Sequence, residues 1–104
     1  MERIVIAAYE PRKGKEEALK VLMQAHWFLL KKEGLVSDRK PILMKAKDGT
    51  MIEVFGWKSK EAIASAHADP SIRELWKQYA EVCEYVPIGV LDEAEELFSG
   101  FDPL

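Results

Sequence analysis

Extended and helical apolar patterns follow one another along the chain in the order β-α-β-β-α-β. That order predicts an α+β fold: a ferredoxin-like, split βαβ unit built on a four-stranded antiparallel sheet. The prolines agree. Pro41 and Pro87 fall in the second and fourth strand-like stretches, the edges of such a sheet, where a missing N–H interrupts no ladder. Length agrees too: 104 residues make a single domain, with a core over residues 2–91 and a helical tail over residues 92–104.

Each element has its own local reason. "RIVIAAYE" (residues 3–10) is a short apolar run rich in β-branched residues and reads as a buried strand, which "PRKG" then breaks. From Lys15 to Glu33 the period turns helical. Leu19, Leu22, Met23, His26, Leu29 and Leu30 share one face, and Gly34 is a natural stop. "DRKPILMKAK" and "TMIEVFGWK" are the second and third strands, with Asp48-Gly49 between them as the signal for a two-residue type I′ hairpin. Ser59 can cap a short helix carrying Ala62, Ile63, Ala66 and His67 on one face. Asp69 followed by Pro70 restarts it, and Ile72, Leu75, Trp76, Tyr79 and Cys83 continue the stripe. "EYVPIGVL" is the fourth strand, and "DEAEELFSGF" reads as a short acidic helix.

Composition narrows the function. A net charge of −3 with lysines scattered over different elements offers no basic face for phosphates, so nucleic acid is not an expected partner. No stretch approaches the roughly 18 to 20 apolar residues of a membrane span, and the first apolar run is too short for a signal peptide. One cysteine, Cys83, forms no internal disulfide and fits a reducing cytoplasm. With two histidines and one cysteine the chain lacks the ligands of a structural zinc, and no metal is expected.

The strands also predict assembly. In the third strand Met51, Glu53, Phe55 and Trp57 point one way and Ile52, Val54 and Gly56 the other; in the first, Ile4, Ile6 and Ala8 oppose Val5, Ala7 and Tyr9. Both faces are mostly apolar, whereas a sheet with one wet face alternates apolar with polar. A homodimer through the sheet face is therefore expected, and the outward-facing Phe28 of the first helix adds to that expectation.

The element order, the "WKSKEA" turn from third strand to second helix, and a histidine followed by Asp-Pro on that helix resemble the dimeric α+β barrel proteins of the antibiotic biosynthesis monooxygenase superfamily. The resemblance covers roughly residues 2–91. It implies a pocket between the sheet and the helices of each subunit, and activities that range from cofactor-free oxygenation through haem degradation to isomerisation. Fold does not choose among these. The haem-degrading pattern puts its iron-ligating histidine where this chain has Trp76 and asks for an asparagine in the first strand, where "RIVIAAYE" has none. The resemblance thus implies no haem, and no cofactor is expected.

Seven residues are candidates for chemistry. His67 is a potential general base able to take a phenolic proton and so activate an electron-rich ring toward dioxygen; its plainer reading is a neutral ring donating to a backbone carbonyl at the helix junction. His26 lies in the apolar stripe of the first helix, where an unpartnered ring costs roughly 1–3 kcal/mol, and Glu53 and Tyr9 are its possible partners from the sheet. Glu53 reads either as a base in an apolar strand or as the partner of a lysine at the sheet rim. Tyr9, Trp57, Trp76 and Tyr79 could line a substrate pocket, and their plainer reading is core packing. Cys83 reads as packing.

The function expected is a small-molecule enzyme similar to cofactor-independent monooxygenases, acting on a hydrophobic aromatic or quinol-like compound. The alternative is a non-catalytic dimeric module that binds a small ligand or serves assembly. Isomerase or lactone chemistry is a further reading, with Glu53 as proton shuttle.

Overall fold

In the computed structural model, which describes residues 1–104, β1 (Arg3–Pro11) and β3 (Met51–Trp57) lie antiparallel at the centre of the sheet with Ala7 opposite Glu53. β4 (Cys83–Val86) pairs with β1, and β2 (Ile42–Lys45) pairs with β3. With β5 (Asp102–Pro103) pairing with β2, the fold is α+β with a five-stranded antiparallel sheet in the order β4-β1-β3-β2-β5. Because side chains alternate along a strand, Val5, Ala7 and Tyr9 share one face with Met51, Glu53, Phe55 and Trp57. Three helices cover that face: α1 (Glu16–Lys32), α2 (Lys60–Ala68) and α3 (Pro70–Val82).

The helix boundaries follow their signals. Gly34 takes φ +72° just past α1, a conformation that costs a residue with a Cβ, and the N–H groups of Glu33 and Gly34 close on Leu29 and Lys31. Glu16 and Glu17 in the first turn and Lys31 and Lys32 in the last complement the helix dipole. Ser59 accepts from the Ala62 N–H to cap α2, and Asp69 accepts from Ser71 and Ile72 to cap α3 with Pro70 at its start. The core beneath has two clusters, and the partly buried Leu29 and Trp76 pack against both. Leu19, Met23, Leu30, Ile72 and Tyr79 are fully buried, and truncating one of the aliphatic members to alanine costs about 2–5 kcal/mol.

Four expectations need correction. The sheet has five strands, because Asp102–Pro103 forms β5 beside β2; β2 is therefore interior, and the edges are β4 and β5. Pro41 and Pro87 flank β2 and β4 rather than lying in them, and Pro11 closes β1. The β2–β3 connection is not a type I′ turn: only Gly49 has positive φ (+95°), and Ala46 N–H bonds Thr50 O while Gly49 N–H bonds Ala46 O. The Asp48 side chain accepts from Thr50 N–H, which favours this longer loop with one left-handed glycine.

The tail is not a helix. Residues Ile88–Val90 and Asp92–Glu95 form two short 3-10 turns that lead back across the second face of the sheet. There Leu91 and Phe101 pack on Ala8, Ala46 and Ile52, and the buried Glu93 carboxylate accepts the Lys47 N–H at 2.8 Å. Too few apolar positions repeat at helical spacing in this segment to hold a helix against the pull of that apolar surface. The tail covers only part of the face. Ile4, Ile6 and Ile42 stay more than half exposed, as do Leu97, Phe98 and the α1 residue Phe28.

Candidate functional site

Between the sheet and the helices lies a cavity of about 710 Å³. Its sheet wall is Val5, Ala7 and Tyr9 of β1, Phe55 and Trp57 of β3, and Tyr85 of β4. Its helix wall follows from spacing. The caps at Ser59 and Asp69 set the phase of α2 and α3. Ile63 and His67 then lie four apart on one helix, and Arg73, Trp76, Lys77 and Ala80 share one stripe of the other. α1 contributes His26.

Behind the wall runs a chain of hydrogen bonds drawn from four elements. Tyr9 Oη donates to Glu53 Oε1 at 2.7 Å, and His26 Nδ1 lies 3.0 and 2.9 Å from the two Glu53 oxygens. On the other side of the ring, Trp76 Nε1 lies 3.0 Å from His26 Nε2. An indole nitrogen only donates, so Nε2 of His26 accepts, and Nδ1 must carry the proton it gives to the carboxylate. Glu53, wholly buried, thus takes two donors with no lysine beside it. Register explains the reach: Tyr9 is the diagonal neighbour of Glu53, two residues on from Ala7. Phe55 and Tyr79 close on the His26 ring edge at 5.5 and 5.3 Å between centroids.

His67 is held differently. It is exposed at the mouth of the cavity rather than buried. Its Nδ1 lies 2.9 Å from the carbonyl oxygen of Ile63, which only accepts, so Nδ1 carries a proton, and in the neutral ring the lone pair is on Nε2. Its ring stands 5.0 Å from that of Trp76, so this one indole touches both imidazoles.

The phenols of the site hold their protons firmly. Burial raises Tyr9 and Tyr79 well above the usual range, and the Glu53 charge adds to both. Burial also raises Tyr85, and it pushes the Cys83 thiol up to about 11, where it donates to the Tyr79 carbonyl. The Tyr79 hydroxyl makes no hydrogen bond to another residue although it is buried.

Six of the seven predicted residues line this cavity: Tyr9, His26, Trp57, His67, Trp76 and Tyr79. Glu53 stands behind Tyr9 and His26, and the rim lysine proposed as its alternative partner is not there. Sequence reasoning missed Arg73 and Lys77, which it had no reason to separate from other exposed charges. Their signal was the spacing to Trp76: both share its stripe. Phe55 and Tyr85 were missed as well, since strand parity alone does not say which face a cavity occupies.

No family model matches the chain, and no curated protein does. Among solved structures, the chain is similar to Rv0793 from Mycobacterium tuberculosis, with 21% identity, a TM-score of 0.67, and 83% of this chain and 89% of that one covered. At that identity the likeness concerns the fold alone. No helix is long and apolar enough to cross a membrane, and no cluster of three or more ligating side chains that could hold a metal ion occurs.

Proposed function

We propose that the cavity binds a hydrophobic aromatic or quinol-like molecule and that the protein oxygenates it without a cofactor, in the manner of the antibiotic biosynthesis monooxygenase superfamily it resembles. One observation carries this reading: Nδ1 of His67 is committed to the Ile63 carbonyl, so that in the neutral ring Nε2 is the basic nitrogen on an aromatic-lined cavity. A phenolic substrate gives its proton to Nε2. The phenolate then reacts at a ring carbon with dioxygen; one oxygen atom stays on the ring as a carbonyl, the other leaves as water, and the phenol becomes a quinone. Trp76 and Trp57 bound the substrate ring. His26 and Glu53 act behind them as positioning residues, since their polar atoms face one another, Tyr9 and Trp76. The test is oxygen consumption with a panel of phenols and hydroquinones. His67→Ala should lose at least about 10²-fold in rate with its circular dichroism unchanged. Full activity in that variant sinks the proposal.

A second reading, a non-catalytic ligand-binding module, is favoured by the completeness of the inner network: Glu53 and His26 have no polar duty left for a substrate. Stoichiometric binding with no turnover of any phenol supports it.

The assembly belongs to the same reading. A second copy of the chain, docked on the half of the second sheet face that the tail leaves bare, would make the ferredoxin-like unit a dimeric α+β barrel. Ile4, Ile6 and Ile42, at 53, 54 and 58% exposed, form the apolar surface that supports it. Native mass spectrometry should show twice 11.9 kDa, and Ile6→Asp should give the monomer. A wild-type monomer removes the dimer and leaves the cavity reading intact. A single unpaired thiol suits a reducing cytoplasm, where we place the protein.

A further inference from the structure

We infer that the ligand of this cavity is an amphipathic anion: a flat aromatic body with a carboxylate head that sits between Arg73 and Lys77. The inference rests on the proposed small-molecule cavity and adds the charge and orientation of its occupant. Two spaces meet at α3. One is the apolar cavity of about 710 Å³; the other is a recess of about 470 Å³ lined by Pro70, Arg73, Glu74 and Lys77, three of the four charged. Arg73 and Lys77 line both. They therefore mark the line along which an apolar molecule would pass from greasy walls to polar ones.

These two cations have no counter-charge of their own. Neither joins an ion pair within the chain. Four residues apart on one helical stripe, they repel each other. An anion set between them relieves that repulsion, and the adjoining apolar wall lowers the local dielectric and strengthens the attraction. The nearby carboxylates do not fill the role. Asp69 spends Oδ1 on the N–H groups of Ser71 and Ile72, and Glu74 shares the recess without bridging to either cation. Against one glutamate the two cations leave a net positive recess. The arginine fork suits a planar carboxylate, and the lysine supplies a second donor. A head held there directs the aromatic body toward Trp76 and the two histidines.

The experiment compares 2-naphthoate with uncharged 2-naphthamide by calorimetric titration of the whole protein. Naphthoate should bind roughly tenfold more tightly at low ionic strength, and the preference should shrink as salt is added. In Arg73→Gln/Lys77→Gln the ratio should fall to about one. Arg73→Lys/Lys77→Arg, which keeps both charges, should retain the preference, and Glu74→Gln should enlarge it. These positions are exposed, so folding is checked simply by circular dichroism. Equal binding of the two compounds overturns the anion and leaves the cavity reading standing. A preference that survives the double glutamine variant overturns the placement of the head. Binding of neither compound to folded protein removes the ligand site, and both readings fall together.

Discussion

The indole N–H of Trp76 donates to Nε2 of His26 across 3.0 Å, and this bond decides which nitrogen of the imidazole faces Glu53. A tryptophan from α3 thereby fixes a proton position on α1 and orients a carboxylate on β3. Nitrogen-correlated NMR should find both histidines in the Nδ1–H tautomer, His26 because of Trp76 and His67 because of Ile63. Trp76→Phe keeps an aromatic ring, though a smaller one, and loses the donor. The His26 signals should change, and stability should drop by about 1 kcal/mol. Unchanged His26 nitrogen shifts in that variant contradict the assignment.

Glu53 is the hub of the buried network, so its substitution should hurt more than its position in an apolar strand suggests. Glu53→Gln keeps the shape but offers one oxygen to two donors, and it should cost about 1–3 kcal/mol. Glu53→Ala leaves Tyr9 and His26 without their acceptor and opens a gap, and it should cost roughly 3–5 kcal/mol. Urea unfolding checks both. A loss in Glu53→Ala no larger than in Glu53→Gln contradicts the picture.

High pH should unfold the protein through its tyrosines. Tyr9 and Tyr79 are raised above their usual value of 10.0 by burial, with Glu53 adding its charge. Below that pH, folded and unfolded chains both keep these protons, and the stabilisation is fully present. Above it the unfolded chain releases them first, so stability falls as pH climbs toward the raised folded values. Tyrosinate absorbance should show the two buried phenols ionising only together with loss of structure. Their reversible ionisation near pH 10 in folded protein is the contrary result.

Gly56 meets the N-terminus closely. A Cβ built there would collide with the Glu2 carboxylate and stand 2.9 Å from Ser37 Oγ. That carboxylate is held below its usual range by Arg39 and Ser37. Gly56→Ala should therefore lower Tm by about 5 °C, because the obstacle is the far end of a side chain that can move. The penalty should shrink in the Glu2→Ala background, and a double-mutant cycle by calorimetry measures that coupling.

How far the sequence could be read depended on whether a signal was local. The caps at Ser59 and Asp69, the stop at Gly34 and the alternation of β3 are decided by residues a few positions apart, and each took the form its spacing predicted. Periodicity marked His26 as out of place, and of the two partners named for it the structure supplies Glu53, while Tyr9 donates to that same carboxylate rather than to the ring. Trp76 was not among them, because Trp76 and His26 are 50 residues apart and meet only through helix packing. His67 was expected inside and is exposed: α2 ends one residue later, too soon to bury a side chain at its edge. The tail misled most. Leu91 and Phe101 serve the far face of the sheet, a surface that sequence spacing does not reveal, while Leu97 and Phe98 stay exposed.

β5 is two residues long, and its Pro103 has no N–H to offer a newcomer. The opposite margin, β4, is four residues long. Neither margin gives a second molecule a long ladder to extend, so strand-by-strand growth into fibres finds poor footing at both ends. What remains sticky is a face, and a face that meets its own copy is used up in doing so. A two-residue margin closed by a proline thus acts as a guard: it leaves a would-be strand partner with almost nothing to pair with.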